Sequence, residues 1–150
     1  MSSFFAFLHH LAAFALVAAL ALEFVLLKGA LDMRTARWLR TTDAVYGIAA
    51  GVVLAVGLAR VFYFEKGAAY YFHSAPFIAK LSLFVLLGLV SIYPTVVFAS
   101  WGKALRQGQV PVLGDAQRRK LRAVLHGELA GVVLILLCAA LMARGVGTFG

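Results

Sequence analysis

Four long runs of apolar residues make up most of the chain, and the polar positions collect in three shorter stretches between them, Lys28 to Asp43, Glu65 to Ala75 and Gly102 to Lys120, which read as loops. The runs cover about residues 4–27, 44–64, 76–101 and 121–142. Each holds the roughly 20 residues that an α-helix needs to cross a hydrocarbon layer. The pattern therefore predicts an all-α protein, an up-down bundle of four transmembrane helices in a single integral membrane domain spanning residues 1–150. The first run has no basic region ahead of it and no small-residue cleavage site behind it, so it is expected to be a helix and not a removable leader. Ser74 ahead of Pro76 reads as the start of the third span, with a capping hydroxyl and a proline in the first turn, where its missing donor costs little. Gly145 after Arg144 reads as the stop of the fourth.

Composition supports this reading. Hydrophobic residues make up 63% of the chain and charged ones 13%, with a mean hydropathy of +0.94, whereas soluble domains are nearer half apolar and a quarter charged. The net charge of +8 does not point to nucleic acid, because the basic residues flank apolar runs and do not form a surface stripe. Lys28, Arg34, Arg37 and Arg40 fall in the first inter-run stretch, and Lys103, Arg106, Arg118, Arg119, Lys120 and Arg122 fall in or beside the third, ten of the fourteen Lys and Arg. In a four-span bundle these two stretches share one face. The excess of positive charge predicts that face to be cytoplasmic and both termini to lie outside. Cys138 lies inside an apolar run and reads as a small packed hydrophobe. Gly47 and Gly51 have the spacing of a close-packing pair.

An ionisable side chain in hydrocarbon is costly and faces the bundle interior, so the few within the spans are the candidates for chemistry. They sort into two clusters by depth. Toward the outer side lie His9, His10, Arg60, His73 and Lys80; toward the cytoplasmic side lie Glu23, Asp43, His126 and Glu128. His9 and Glu23 return to within roughly 40° of one helix face over a rise of about 21 Å, so the first helix touches both clusters. Lys80, Ser91 and Thr95 share a face of the third, within roughly 60°.

An imidazole in an apolar bundle is a ligand type for haem iron. His9 or His10 would supply the proximal ligand and His73, or less conventionally the neutral amine of Lys80, the opposing one, with Arg60 paired to a propionate. Against this stands the plainer arrangement in which His9 and His10 lie in the interfacial zone, His73 is a loop residue and Lys80 snorkels outward. The acidic cluster reads as proton-accepting, or as carboxylates paired with Lys or Arg at the inner interface. A metal signature is not evident, since residues 126 and 128 point to nearly opposite sides of a helix. The aromatic segment from Glu65 to His73 reads as an interfacial belt, with a quinone or tetrapyrrole edge as the alternative.

His9-His10, Asp43-Ala44-Val45-Tyr46-Gly47, Gly57-Leu58-Ala59-Arg60, Glu65-Lys66-Gly67, Tyr70-Tyr71, Phe77-Ile78-Ala79-Lys80, Pro94-Thr95 and Met142-Ala143-Arg144-Gly145 together resemble an uncharacterised bacterial family of four-helix membrane proteins, domain of unknown function 2214, over nearly the whole chain. A first-helix histidine with an aromatic-x-x-Lys start to the third helix is also distantly similar to the four-helix, haem-associated bacterial protoporphyrinogen oxidase. That likeness implies His9 or His10 and Lys80 as the matching positions. The resemblance implies a bacterial inner membrane, with both termini then periplasmic, and the expected function is a small membrane redox or electron-transfer component with one b-type haem, working in that lipid bilayer with membrane-protein or quinone partners. The alternatives are a non-catalytic accessory subunit of a larger respiratory or photosynthetic membrane complex, and a small transporter or proton conductor using Glu23, Lys80 and Glu128.

Overall fold

The computed structural model describes residues 1–147. Four long helices form the body: α1 (Ser2–Lys28), α2 (Met33–Ala59), α4 (Ala75–Ser100) and α6 (Asp115–Ala143). Two short ones, α3 (Ala68–Phe72) and α5 (Gly102–Arg106), lie in the connections, and α2 runs on through a wide π-helical turn, Arg60–Phe64. No strand occurs among the described residues. The long helices pack in a ring, α1 on α2, α2 on α4, α4 on α6 and α6 on α1. All four are long and apolar enough to cross a membrane; at 1.5 Å per residue α1 is about 40 Å long, more than the hydrocarbon layer itself requires.

The outside of the bundle is apolar. Phe7, Phe14, Val25, Ile48, Val85, Leu89, Ile92, Val133 and Leu136 are all exposed, which in water would be a liability and in lipid is the lowest-energy arrangement. Inside, the main core joins Leu16, Leu20, Leu27, Leu39, Ala49, Leu87, Phe98, Leu121 and Leu125, and it sits mostly in the half nearer the loops 29–32 and 107–114. A separate small cluster of Val61, Tyr71 and Phe77, flanked by Leu81 and Met142, closes the opposite end. These two ends are called here the basic end and the far end.

The second span is longer than the apolar run at 44–64 suggests. Its helix begins at Met33, and the stretch from Lys28 to Asp43, expected to be a loop, is a loop only at 29–32. The apolar run stops at Ala44, but Ala36, Leu39, Thr42, Asp43 and Tyr46 stay buried at helical spacing, so packing carries the helix through a polar stretch that a hydropathy reading cuts off. Asp32 caps it, accepting a hydrogen bond from the Thr35 amide at 2.6 Å. In the same way, α5 and the first turns of α6 occupy much of the stretch at 102–120 expected to be loop.

Ser74 does stand at the start of α4, and Pro76 lies in its first turn. The hydroxyl makes no cap, however, and its oxygen is buried without a partner. Gly145 ends α6 as expected, at φ +69, with its amide bonded to the Met142 carbonyl at 3.0 Å. Gly47 and Gly51 face open space on the outside of α2 and pack against nothing in this chain. The glycines in close contact are others. A Cβ on Gly131 would come within 2.6 Å of Leu87 Cδ2 where α6 crosses α4, and one on Gly57 within 3.2 Å of His9 Cε1 where α2 crosses α1.

Candidate functional site: two polar centres in one bundle

One antiparallel register between α1 and α2 builds both centres. His9 lies against Gly57 and Glu23 faces Asp43; 23 − 9 and 57 − 43 both equal 14, which is about 21 Å along an α-helix. The same pairing therefore sets a basic residue at one depth and an acidic pair at another.

At the far end the His9 ring occupies the notch left by the missing side chain of Gly57. Its Nδ1 is enclosed on the α2 side, where the Val53 carbonyl acts on the ring, but no hydrogen bond of normal geometry reaches it. Arg60 and Lys80 are the cationic side chains that act on His9 from the neighbouring elements. Lys80 is part-buried, with its ammonium 5.3 Å from the centre of the Phe77 ring and close enough to Arg60 and Cys138 to feel both. It faces the bundle and does not snorkel outward.

The π-helical turn positions Arg60. Widening the last turn of α2 sends its side chain back to Glu65, with which it forms the one ion pair among the described residues. The Tyr71 hydroxyl donates to the other carboxylate oxygen at 3.1 Å. The Arg60 guanidinium, with help from Tyr71, holds the Glu65 carboxyl below its ordinary value, and burial together with the Glu65 carboxylate pushes the Tyr71 phenol up to about 12.

Two residues expected in this centre lie outside it. His10 is exposed on the outer surface of α1, with Nδ1 2.6 Å from the Ala6 carbonyl oxygen. His73 is exposed after α3, with Nδ1 2.6 Å from the Ala69 carbonyl oxygen. Adjacent residues differ by about 100° on a helix, so only one of His9 and His10 can turn inward. Here it is His9.

Toward the basic end, Glu23 of α1, Asp43 of α2 and Glu128 of α6 bear on one another. Glu23 and Glu128 are each 1% exposed and Asp43 8%. The Tyr46 hydroxyl donates to Glu128 at 3.2 Å, and the Thr95 hydroxyl of α4 donates to Asp43 at 2.9 Å. Ser91, on the expected inward face of α4, bonds its own helix at the Gly88 carbonyl. His126 is exposed, with its ring 6.1 Å from that of Phe24, and is not part of the cluster.

Pairing of these carboxylates with inner-interface bases, one of the two arrangements read from the sequence, does not occur. Arg118 donates to the Leu27 and Gly29 carbonyls at 2.8 Å each, closing the end of α1. Lys28 lies over the Phe24 ring and Lys120 over the Tyr93 ring. Sequence reasoning missed Tyr46 and Thr95 as donors. The signal available for them was helical spacing: Tyr46 is three residues from Asp43, on the same face. Among the described residues, no group of three His, Cys, Asp or Glu side chains converges closely enough to hold a metal ion.

Four spanning helices, aliphatic toward lipid and ionisable toward one another, define an integral membrane bundle. The chain belongs to the family described as "Predicted membrane protein (DUF2214)", which matches it over residues 1–147. No curated protein and no solved structure matches the chain.

Proposed function

We propose that this protein is a small redox component of a bacterial inner membrane, with the basic end cytoplasmic, that carries one b-type haem near the far end with His9 as an iron ligand. The observation that carries this reading is the His9 ring, turned inward beside Arg60 and Lys80 with its Nδ1 buried and without a hydrogen bond of normal geometry. Nδ1 is closed in against α2, which leaves Nε2 as the nitrogen that would meet a metal.

The rest of the donor set fits the group. Gly57 leaves the space the imidazole occupies, and an added Cβ would displace it. Arg60 supplies a guanidinium suited to a propionate, already aimed by Glu65. Lys80 presents an amine toward the same centre, which would serve as a second ligand in its neutral form or as a propionate partner in its charged form. When bound, haem supplies one-electron transfer at a potential set by its ligands and by the apolar surroundings. The chain's own part is to orient the imidazole, balance the propionates and keep water away with the Val61, Tyr71 and Phe77 cluster.

The test is an absorption spectrum of the detergent-purified protein, oxidised and dithionite-reduced, with a pyridine haemochrome count after expression with ample haem. Near-stoichiometric b-type haem supports the reading. A colourless protein overturns it and favours an accessory subunit defined by its partners.

A further inference from the structure

The acidic centre presents a charge problem that the protein does not solve with its own side chains. Three carboxyl groups from three helices lie near enough to act on one another, with no base among them. The ionisable groups that face Glu23 are Asp43 and Tyr46 from α2 and Glu128 from α6; α4 contributes only the Ser91 and Thr95 hydroxyls. Arg118 is engaged with backbone carbonyls, Lys28 with an aromatic ring, and Arg40 packs over Gly102 at the start of α5.

Glu23 makes the problem specific. Asp43 and Glu128 each accept a hydrogen bond from a hydroxyl, but Glu23 is 1% exposed, points into the cluster, and has its Oε1 enclosed with no partner at all. An ionised carboxylate in that position lacks both a counter-charge and a donor, and burying such a group is strongly unfavourable. Something must therefore neutralise it. A metal cation would need oxygens gathered around one point, and the described side chains do not gather in that way. A proton needs no cage, and a carboxyl O–H adds the donor that the cluster lacks.

We propose that Glu23, with Asp43 and Glu128 around it, forms a proton-holding site inside the bundle, with a proton retained on Glu23 at neutral pH. The reaction is simple protonation: a carboxylate takes a proton from water-borne acid to give a neutral carboxylic acid, and returns it when the pH rises. Tyr46 and Thr95 act as positioning residues, each holding one neighbouring carboxyl through its hydroxyl so that Glu23 alone is left without a protein donor. This site does not depend on haem, and it gives the inner half of the bundle a chemistry of its own.

Infrared spectroscopy of the purified protein in lipid tests the assignment. At neutral pH the wild type is expected to show the C=O stretch of a protonated carboxylic acid, shifted down in D2O and lost at high pH, and Glu23→Gln is expected to remove it. Dicyclohexylcarbodiimide, which reacts with protonated carboxyls in apolar surroundings, gives an independent reading on the wild type alone should the variant fail to fold. Mass mapping should place the adduct on Glu23. Absence of both band and adduct at neutral pH overturns the proposal, as does a band that survives in a folded Glu23→Gln. Loss of the adduct on adding sodium ions at constant pH also overturns it, by making the site one for a cation.

Discussion

The two ends of this bundle handle buried charge in opposite ways. At the far end Arg60, Glu65 and Tyr71 form an ion pair and hydrogen bond that lie partly in contact with solvent, and Lys80 rests near an aromatic ring. Toward the basic end Glu23, Asp43 and Glu128 are sealed from solvent with hydroxyls as their only donors. A partly exposed pair is stable as ions because water screens the remainder, whereas a sealed acidic cluster must take up its neutralising charge from outside. The contrast sets basic side chains beside one end of α1 and buried carboxyls beside the other, on a single helix face.

The sharpest break of this comparison is His9→Ala: if the protein carries haem as proposed, this variant is expected to lose the b-type spectrum while His10→Ala keeps it. Equal loss in both would mean that the far end is not organised around the inward ring. Next in size is Gly57→Leu. A Cβ there already sits 3.2 Å from His9 Cε1, so the larger side chain should drive the ring from its notch and lower stability by about 1–3 kcal/mol, read as thermal unfolding in detergent together with haem occupancy. A leucine at Gly51, which meets open space, should cost far less.

At the other centre, Tyr46→Phe removes the hydroxyl that donates to Glu128 and should cost about 1–2 kcal/mol of stability by leaving a buried acceptor unsatisfied. It should also displace the infrared band without deleting it. The smallest effect belongs to the far-end clamp, at up to about 1 kcal/mol. Its pH window follows from the two shifts. The folded Glu65 carboxyl titrates below its ordinary 4.5, so its contribution is complete above that value and lost as pH falls through the folded one. Tyr71 is raised from 10.0 to about 12, so its contribution is complete below 10.0 and lost as pH rises through about 12. Melting curves of wild type and Glu65→Gln should therefore converge in acid and separate between these limits.

Much of this was legible in the sequence because the bilayer leaves so little choice. Apolar runs of spanning length give four helices, and the alternation of loops puts the basic stretches on one face. The depth of each ionisable residue then follows from its distance along its own helix, which is why Glu23, Asp43 and Glu128 lie at one level and His9, Arg60 and Lys80 at another. Hydropathy misled at the start of α2, where residues 33–43 are polar outside and buried inside, and at His126, whose depth is right but whose face is wrong.

Depth along a helix is thus what the sequence by itself determined, because rise per residue is constant. Azimuth was decided only by the tertiary structure. Whether His9 or His10 turns inward, whether an acid meets a base or another acid, and whether Glu23 has a donor all depend on which helix stands opposite and in what register. For this chain that was settled where Gly57 lets α2 approach His9 and Gly131 lets α6 close on Leu87.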